Sequence, residues 1–284
     1  MTTQISASLI KELRERTGVG MAKCKEALEE AKGNLDTAIE ILRKAGMASA
    51  VKKQGRETKE GTVVAKDSGD TIALVEINAE TDFVVKNDKF QDFCQKIAEE
   101  VALTKPASLE AFLEQKYSKD QSINIEAMRS LIIQVIGENI MIKRVLALPK
   151  QKGHSYGIYS HLGGKILTLV ELNQADEVEV ARDIAMHAAA GIPQVADYAF
   201  PEEVPQELIQ KEREIAREQL AGKPANIMDK ILDGKINAFY DQVCLTRQKF
   251  IKDDSMSINE LLKKRSDATG KDIKLVRFFR WSIA

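Results

Sequence analysis

Apolar residues recur at helical spacing through the first fifty positions and then switch to strand-like runs. Ser6 to Arg16 puts Leu9, Ile10 and Leu13 on one face and stops at Thr17 and Gly18, which predicts a short helix closed by a left-handed glycine. Met21 to Lys32 repeats the pattern with Cys24, Ala27, Leu28 and Ala31 and stops at Gly33. A third helix runs from Asp36 through Ile39 and Leu42 to Gly46. Ala48 to Glu60, carrying Lys52, Lys53, Gly55, Arg56 and Lys59, reads as a mobile basic linker. From Gly61 the pattern is that of strands. Thr71 to Ile77 (TIALVEI) is a β-rich run entered through the turn-forming Asp67, Ser68, Gly69 and Asp70, and it should end near Asn78. Thr81 and Asp82 are helix-capping residues, which leaves Phe83 and Val84 at a strand-to-helix corner. The helix that follows, Asp88 to Leu103, already has its own apolar stripe in Phe90, Phe93, Ile97 and Val101.

A similar order returns in the second half. Glu76, Ile77 and Asn78 match Glu171, Leu172 and Asn173. Each trio closes a β-rich run, TIALVEIN or KILTLVELN, and precedes an amphipathic helix, Asp88 to Leu103 or Val178 to Ala190. This reads as a tandem duplication, with a helix at Ile125 to Gly137 and a strand at Asn139 to Leu148 bridging the copies. The second copy carries Asp176, Glu177, Val178 and Glu179 where the first has Thr81, Asp82, Phe83 and Val84. The repeat therefore has no general need for a phenylalanine at the corner, although an ordinary core role for Phe83 stays open. Glu207 to Ala221 and Ala225 to Val243, joined by Gly222, Lys223 and Pro224, predict an antiparallel helical hairpin with one seam of Leu208, Ile215, Ile227, Ile231 and Ile236. A helix at Ser257 to Arg265 and a β-rich run at Asp272 to Trp281 complete the chain. The fold class is α+β: an N-terminal three-helix bundle resembling the ubiquitin-associated type, then a duplicated core of antiparallel sheets and helices with the hairpin inserted near 205–245. The domains expected are 1–56, the bundle and its basic linker; 57–140, the first core subdomain; and 141–284, the second.

Composition narrows the class. With 42 basic and 43 acidic residues the net charge is −1, so nothing global draws the chain to a phosphate backbone or an acidic membrane. Cys24, Cys94 and Cys244 are isolated, without a CxxC pair, which supports neither a disulfide framework nor a zinc site and fits a reduced, cytoplasmic setting. The N-terminus lacks a charged start followed by an apolar core, and no apolar run reaches the roughly 18 residues that span a bilayer.

Several motifs tempt and fail. Gly153, His154, Ser155, Tyr156 and Gly157 spell the GxSxG of serine hydrolases, but a nucleophile elbow follows a strand and opens a helix, whereas Gly164 to Asn173 downstream reads as strand. Gly163, Gly164 and Lys165 lack the earlier glycine and the following Ser or Thr of a phosphate loop. Three histidines without HExxH give metal catalysis no anchor. His187, on an apolar helix, reads as a satisfied core or edge histidine. The tail LVRFFRW mixes arginine with aromatics, yet period-two alternation, with Leu275, Arg277, Phe279 and Trp281 on one face, explains it as an edge strand.

The sequence TDFV at Thr81 to Val84, after an acidic, aliphatic, asparagine strand end, resembles the signature of the elongation factor Ts family. LRERTGVGMAKCKEAL, Leu13 to Leu28, resembles that family's first signature at its usual distance upstream. Ala79 and Val85 depart from the common form of the central motif, and family members usually continue past the last strand into a further helix, whereas this sequence ends at Ala284. The resemblance implies a guanine-nucleotide exchange factor that makes no covalent bond and needs no cofactor. Its implied partner is elongation factor Tu, GDP-bound and nucleotide-free, with no direct nucleic acid or membrane. Thr81, Asp82, Phe83 and Val84 are the implied element that disturbs the partner's Mg²⁺ and phosphate site. Further implied contacts are Val19, Gly20 and Met21 at the first helical joint, Asn78, and His161 in an aromatic-and-histidine turn. Met21 as a plug of the small bundle core, and His161 as a plain hairpin residue, are the competing readings. Self-association or a 2:2 complex is left open.

Overall fold

A computed structural model describes residues 5–219 and 225–283. It is a mixed α and β structure whose contacts divide it into two units, 1–150 with the last three residues, and 151–281. The first unit extends ten residues past the boundary expected at 140, because the strand there pairs back into the first sheet.

That unit opens with α1 (Ala7–Thr17), α2 (Met21–Glu30) and α3 (Leu35–Lys53). Ser6 caps α1 by accepting from the Leu9 N–H, and Asn34 caps α3 by accepting from Thr37. Leu13, Val19, Cys24, Leu28, Ala38 and Leu42 close one small core between the three helices. The predicted linker is largely absent: α3 continues to Lys53, and its Ala50 packs into the larger core beyond it. No glycine or proline interrupts the chain between Gly46 and Gly55, so the helix has no reason to stop earlier.

The first sheet has the order β1 (Glu60–Asp67), β2 (Thr71–Ala79) and β5 (Ile140–Pro149), with β2 antiparallel to both neighbours. Between β2 and β5 lie a one-turn helix α4 (Asp82–Val85), α5 (Asp88–Thr104), α6 (Leu109–Glu114), a small hairpin of β3 (Lys116–Tyr117) and β4 (Asp120–Asn124), and α7 (Ile125–Ile136). Every residue of β2 is buried, as befits a central strand. The stripe of α5 closes on the sheet through Phe90, Phe93, Ile97 and Val101, each fully or nearly fully buried and each contributing about 1.5–3 kcal/mol. Gly137, at φ 95°, ends α7 in the left-handed conformation and turns the chain into β5.

The second unit also has a three-stranded antiparallel sheet with helices. β6 (Ser155–His161) and β7 (Ile166–Leu172) are antiparallel, and β10 (Leu275–Ser282) lies on the free side of β7 as the edge strand expected from its alternation. α8 (Val178–Ala190) covers the sheet. The hairpin is α9 (Gln206–Gln219) and α10 (Ala225–Val243), while its predicted Gly222, Lys223 and Pro224 junction lies outside the described residues. Its buried seam is Ile209, Ala216, Leu232 and Ile236; Ile215, placed in the seam by spacing, is 40% exposed, so the α9 face is turned by one residue. A second small hairpin, β8 (Lys249–Phe250) with β9 (Asp253–Ser257), leads into α11 (Ile258–Thr269), which stops at Gly270.

The two small hairpins are built alike. In each an aspartate, Asp120 or Asp253, accepts from both the backbone and the hydroxyl of the serine two positions on, Ser122 or Ser255. In each the next helix starts with an isoleucine N–H donating to a glutamine carbonyl, Ile125 to Gln115 and Ile258 to Gln248.

Candidate functional site: the corner after the central strand of the first unit

The end of β2 and the start of α4 form a tight corner. Thr81 caps α4, its hydroxyl accepting from the Val84 N–H at 3.4 Å. The same hydroxyl donates to Glu138 Oε1 at 2.7 Å, and the Thr81 N–H donates to Glu138 Oε2 at 3.0 Å. The favour is returned by the neighbouring pair, since the Asn139 N–H donates to Glu80 Oε1 at 2.6 Å. Two carboxylates thus cross-brace the ends of β2 and β5. Arg56 pairs with Glu80 at 3.4 Å, and the Asn139 and Asn78 side-chain amides donate to the Arg56 and Thr58 carbonyls. The short segment after α3 is therefore strapped beneath the corner rather than mobile.

The four residues of the motif meet different fates. Val84 packs partly against the core and Val85 is buried in it. Asp82 heads the helical turn and pairs with Lys86 at 2.8 Å; the capping role offered to it by the sequence is taken by Thr81. Phe83 is 82% exposed. A phenylalanine left in water at a turn fixed on both sides is a feature that the fold itself does not need, and the alternative of an ordinary core phenylalanine is excluded. The departures from the common motif are accommodated, Ala79 lying fully buried in β2 and Val85 in the core.

The other predicted residues divide. Asn78 is 2% exposed with its amide donating to the Thr58 carbonyl, and Val19 is 1% exposed inside the three-helix core, so both side chains face inward in this structure. Val19 lies in the loop between α1 and α2 and Asn78 on the central β2, and the motif pattern does not reveal that both point inward. Gly20 is exposed and Met21 is 51% exposed, so Met21 does not plug the bundle. Their joint lies near the site's helix: Lys89, on α5, donates to the Gly18 carbonyl at 3.3 Å. Beside it a cleft of roughly 310 Å³ is floored by Phe93, Met128, Ile132 and Val135 and edged by Arg16 and Lys96. His161 stands on the other unit, half-buried and stacked on Tyr159 with centroids 6.0 Å apart, next to Leu162, which is 66% exposed.

Ser155 is 2% exposed at the start of β6, and its hydroxyl accepts from the Glu177 N–H. It has no elbow geometry. The second glycine of its motif, Gly157, is a packing residue, because a Cβ there would stand 2.1 Å from the backbone of Ala181 on α8. His187, 1% exposed, donates from Nε2 to Gln248 Oε1 at 3.0 Å and accepts at Nδ1 from the Ile251 N–H, and burial lowers its pKa. It is the satisfied core histidine its helix predicted. Among the described residues no three His, Cys, Asp or Glu side chains gather to hold a metal, and no helix is long and apolar enough to cross a membrane.

Residues 80–284, from the braced Glu80 onward, match the family model described as Elongation factor TS. The chain is 59% identical over 280 residues to elongation factor Ts of Protochlamydia amoebophila, covering 98% of each chain. The chain belongs to the elongation factor Ts family. Elongation factor Ts of Chlamydia muridarum is 43% identical over 282 residues and that of Chlamydia trachomatis serovar L2 is 42% identical, each with 99% of both chains covered. The elongation factor Ts resemblance seen in two short motifs thus extends over nearly the whole length. Sequence reasoning missed Glu80, Glu138 and Asn139 at the corner. Their only signal is an acidic and a polar residue side by side at the ends of two strands, Glu80 with Thr81 and Glu138 with Asn139, and the pairing spans 57 positions.

Proposed function

We propose that this chain is a guanine-nucleotide exchange factor for elongation factor Tu. It binds the GDP-bound partner in the cytoplasm, disturbs the site where Mg²⁺ bridges protein and phosphates, and leaves GTP free to load. It makes and breaks no covalent bond. Thr81 to Val84 is the intruding element, and the observation that carries the reading is Phe83, 82% exposed at the tip of a turn whose neighbours on both sides are anchored.

The energetics require more than that ring. By linkage, a factor loosens the nucleotide only as far as the bound nucleotide loosens the factor. A ten-thousand-fold acceleration corresponds to about 5.5 kcal/mol of differential stabilisation. Burying one phenylalanine supplies about 1.5–3 kcal/mol. The remainder has to come from docking surfaces elsewhere, for which Met21 and Gly20 on the bundle and His161 with Leu162 on the second unit are accessible candidates. We further infer that the bundle is of the ubiquitin-associated type and that the two sheet-and-helix bodies are tandem copies, in domains that follow the order 1–56, 57–140 and 141–284 in outline. The duplication is supported by the matched small hairpins and by one ion pair in each sheet, Glu76 to Arg144 and Glu171 to Arg277, both at 2.6 Å.

Release of a fluorescent GDP from elongation factor Tu, followed by stopped flow, tests the reading. Phe83→Ala is expected to keep the fold, since the ring touches no core, and to slow release by about one to two powers of ten. A folded variant that releases GDP at the wild-type rate refutes it.

A further inference from the structure

Phe83 has almost nothing of its own to hold it. At 82% exposure its ring takes its position from the backbone of one helical turn. The rear of that turn is fixed by Val84 and Val85 in the core. The front is fixed by Glu138, whose two carboxylate oxygens take the Thr81 N–H and the Thr81 hydroxyl separately, at 3.0 and 2.7 Å. The hydroxyl passes the constraint on by accepting from the Val84 N–H. A threonine hydroxyl has one proton and two lone pairs, so a donor bond to Glu138 and an acceptor bond from Val84 are compatible.

The second unit offers an internal control. The glycine that ends the helix before its edge strand is Gly270, as Gly137 is in the first, and both take left-handed φ values. The residue after it is Lys271 where the first unit has Glu138. Lys271 also reaches the corner of its own sheet, bonding the Ala175 carbonyl at 2.9 Å and Asp176 at 3.5 Å. A flexible ammonium shared between a carbonyl and an exposed carboxylate sets no fixed direction, whereas a planar carboxylate that takes a backbone N–H and a hydroxyl does. At the position matching Phe83 the second unit carries Val178, with no aromatic ring to aim. The carboxylate brace on a backbone N–H and a hydroxyl occurs on the corner that bears the phenylalanine.

We propose that Glu138 is a positioning residue for exchange: it orients the Thr81–Val84 turn so that Phe83 is presented in the attitude that disturbs the partner's nucleotide site. This rests on the reading of Phe83 given above. The consequence is specific. Loosening the brace affects the rate at which a docked factor expels GDP and leaves docking itself, made by other surfaces, comparatively intact.

The test measures GDP release against factor concentration for full-length Glu138→Ala and Glu138→Gln, with amide hydrogen exchange at Thr81 and Val84. Glu138→Ala is expected to lower the maximal release rate by about tenfold, with a smaller change in the half-saturating concentration and faster exchange of the Thr81 amide. Glu138→Gln keeps an oxygen for the Thr81 N–H and is expected to recover part of the rate. Adding Glu138→Ala to Phe83→Ala is expected to cost nothing further. A full maximal rate in a folded Glu138→Ala variant overturns the proposal, as does a loss confined to the half-saturating concentration. If Phe83→Ala alone is fully active, the reading of Phe83 fails and the role of Glu138 falls with it. If Phe83→Ala is defective and Glu138→Ala is not, only the positioning role falls.

Discussion

The ion pair of Glu171 and Arg277 illustrates how a single buried charge is made tolerable. Glu171, on the central β7, is fully buried. Burial on its own raises its carboxyl, but hydrogen bonds from Arg277 at 2.6 Å, His154 at 2.7 Å and Tyr156 at 2.8 Å outweigh it and hold the pKa below the usual glutamate value. A depressed folded-state pKa contributes stability above the unfolded-state value, and that contribution is lost as pH falls through the folded one. Arg277→Ala removes the partner and leaves the carboxylate with the Tyr156 hydroxyl and His154. We expect it to cost about 3 kcal/mol at pH 7 in urea unfolding, and the difference from wild type to shrink as the pH is taken down through the carboxylate range, where Glu171 is protonated in both states. A penalty that stays constant with pH would mean that packing of the arginine stem, and not its charge, is what was lost. Phe83 stands at the opposite extreme: at 82% exposure it contributes little burial, so its substitution is expected to leave stability nearly unchanged.

At the scale of elements, the contact of α8 with β6 has the narrowest tolerance. The backbone of Ala181 and Arg182 passes so near Gly157 that an added Cβ would lie 2.1 Å from each. Backbone cannot move aside as a flexible side chain does, so Gly157→Ala must push α8 off the sheet. The expected cost is about 3 kcal/mol or more, read as a lowered midpoint of thermal or urea unfolding. The glycine that looks like part of a hydrolase motif is thus there for packing. Much of the element order was legible before any coordinates: β2, β7, α5 and α8 carry strong apolar periods, and α1, α7 and α11 end on glycines in the left-handed conformation. What escaped did so for physical reasons. The tail of α3, Met47 to Lys53 (MASAVKK), has mostly small or charged residues and traces only a weak apolar stripe. The hairpins β3–β4 and β8–β9 have first strands of two residues, too short for any period, and are held by aspartate–serine turns. The one-residue turn of α9 is set by what it packs on and not by its own spacing. At the candidate site the exposed Phe83 was within reach of pattern reasoning, because the corner at Asp176 to Glu179, which follows a similar strand, has no aromatic. The brace of Glu80 and Glu138 was not, since it joins residues far apart in the chain whose charges look like ordinary surface.

For the molecule as a whole, near-zero net charge leaves no net monopole to draw in a charged partner, which puts more weight on local contacts held in fixed relation. Within the first unit that relation depends on whether the three helices are a tethered module or part of the same body as the sheet. Several observations favour one body. Ala50 of α3 belongs to the sheet's core, Val135 of α7 packs on the bundle's core, and Arg43 reaches Asp120 and Ser122 on β4. Gly46 lies so close to α7 that a Cβ would stand 3.3 Å from the Ser130 carbonyl. Strapping of Arg56 and Thr58 beneath the corner removes the slack that a linker would provide. Bundle and sheet should therefore unfold together. Leu28→Ala, which empties a fully buried site in the bundle, is expected to cost about 2–5 kcal/mol and to lower the protection of Ala73 and Val75 amides in β2 along with those of α2 and α3 in native-state hydrogen exchange. If only the helical amides lose protection, the bundle opens by itself, and any grip that Met21 has on a partner is mechanically separate from the corner that carries Phe83. If all lose it equally, the helical joint and the corner that carries Phe83 are two ends of one rigid object, so that on the proposed function binding energy gained at the first would be available at the second.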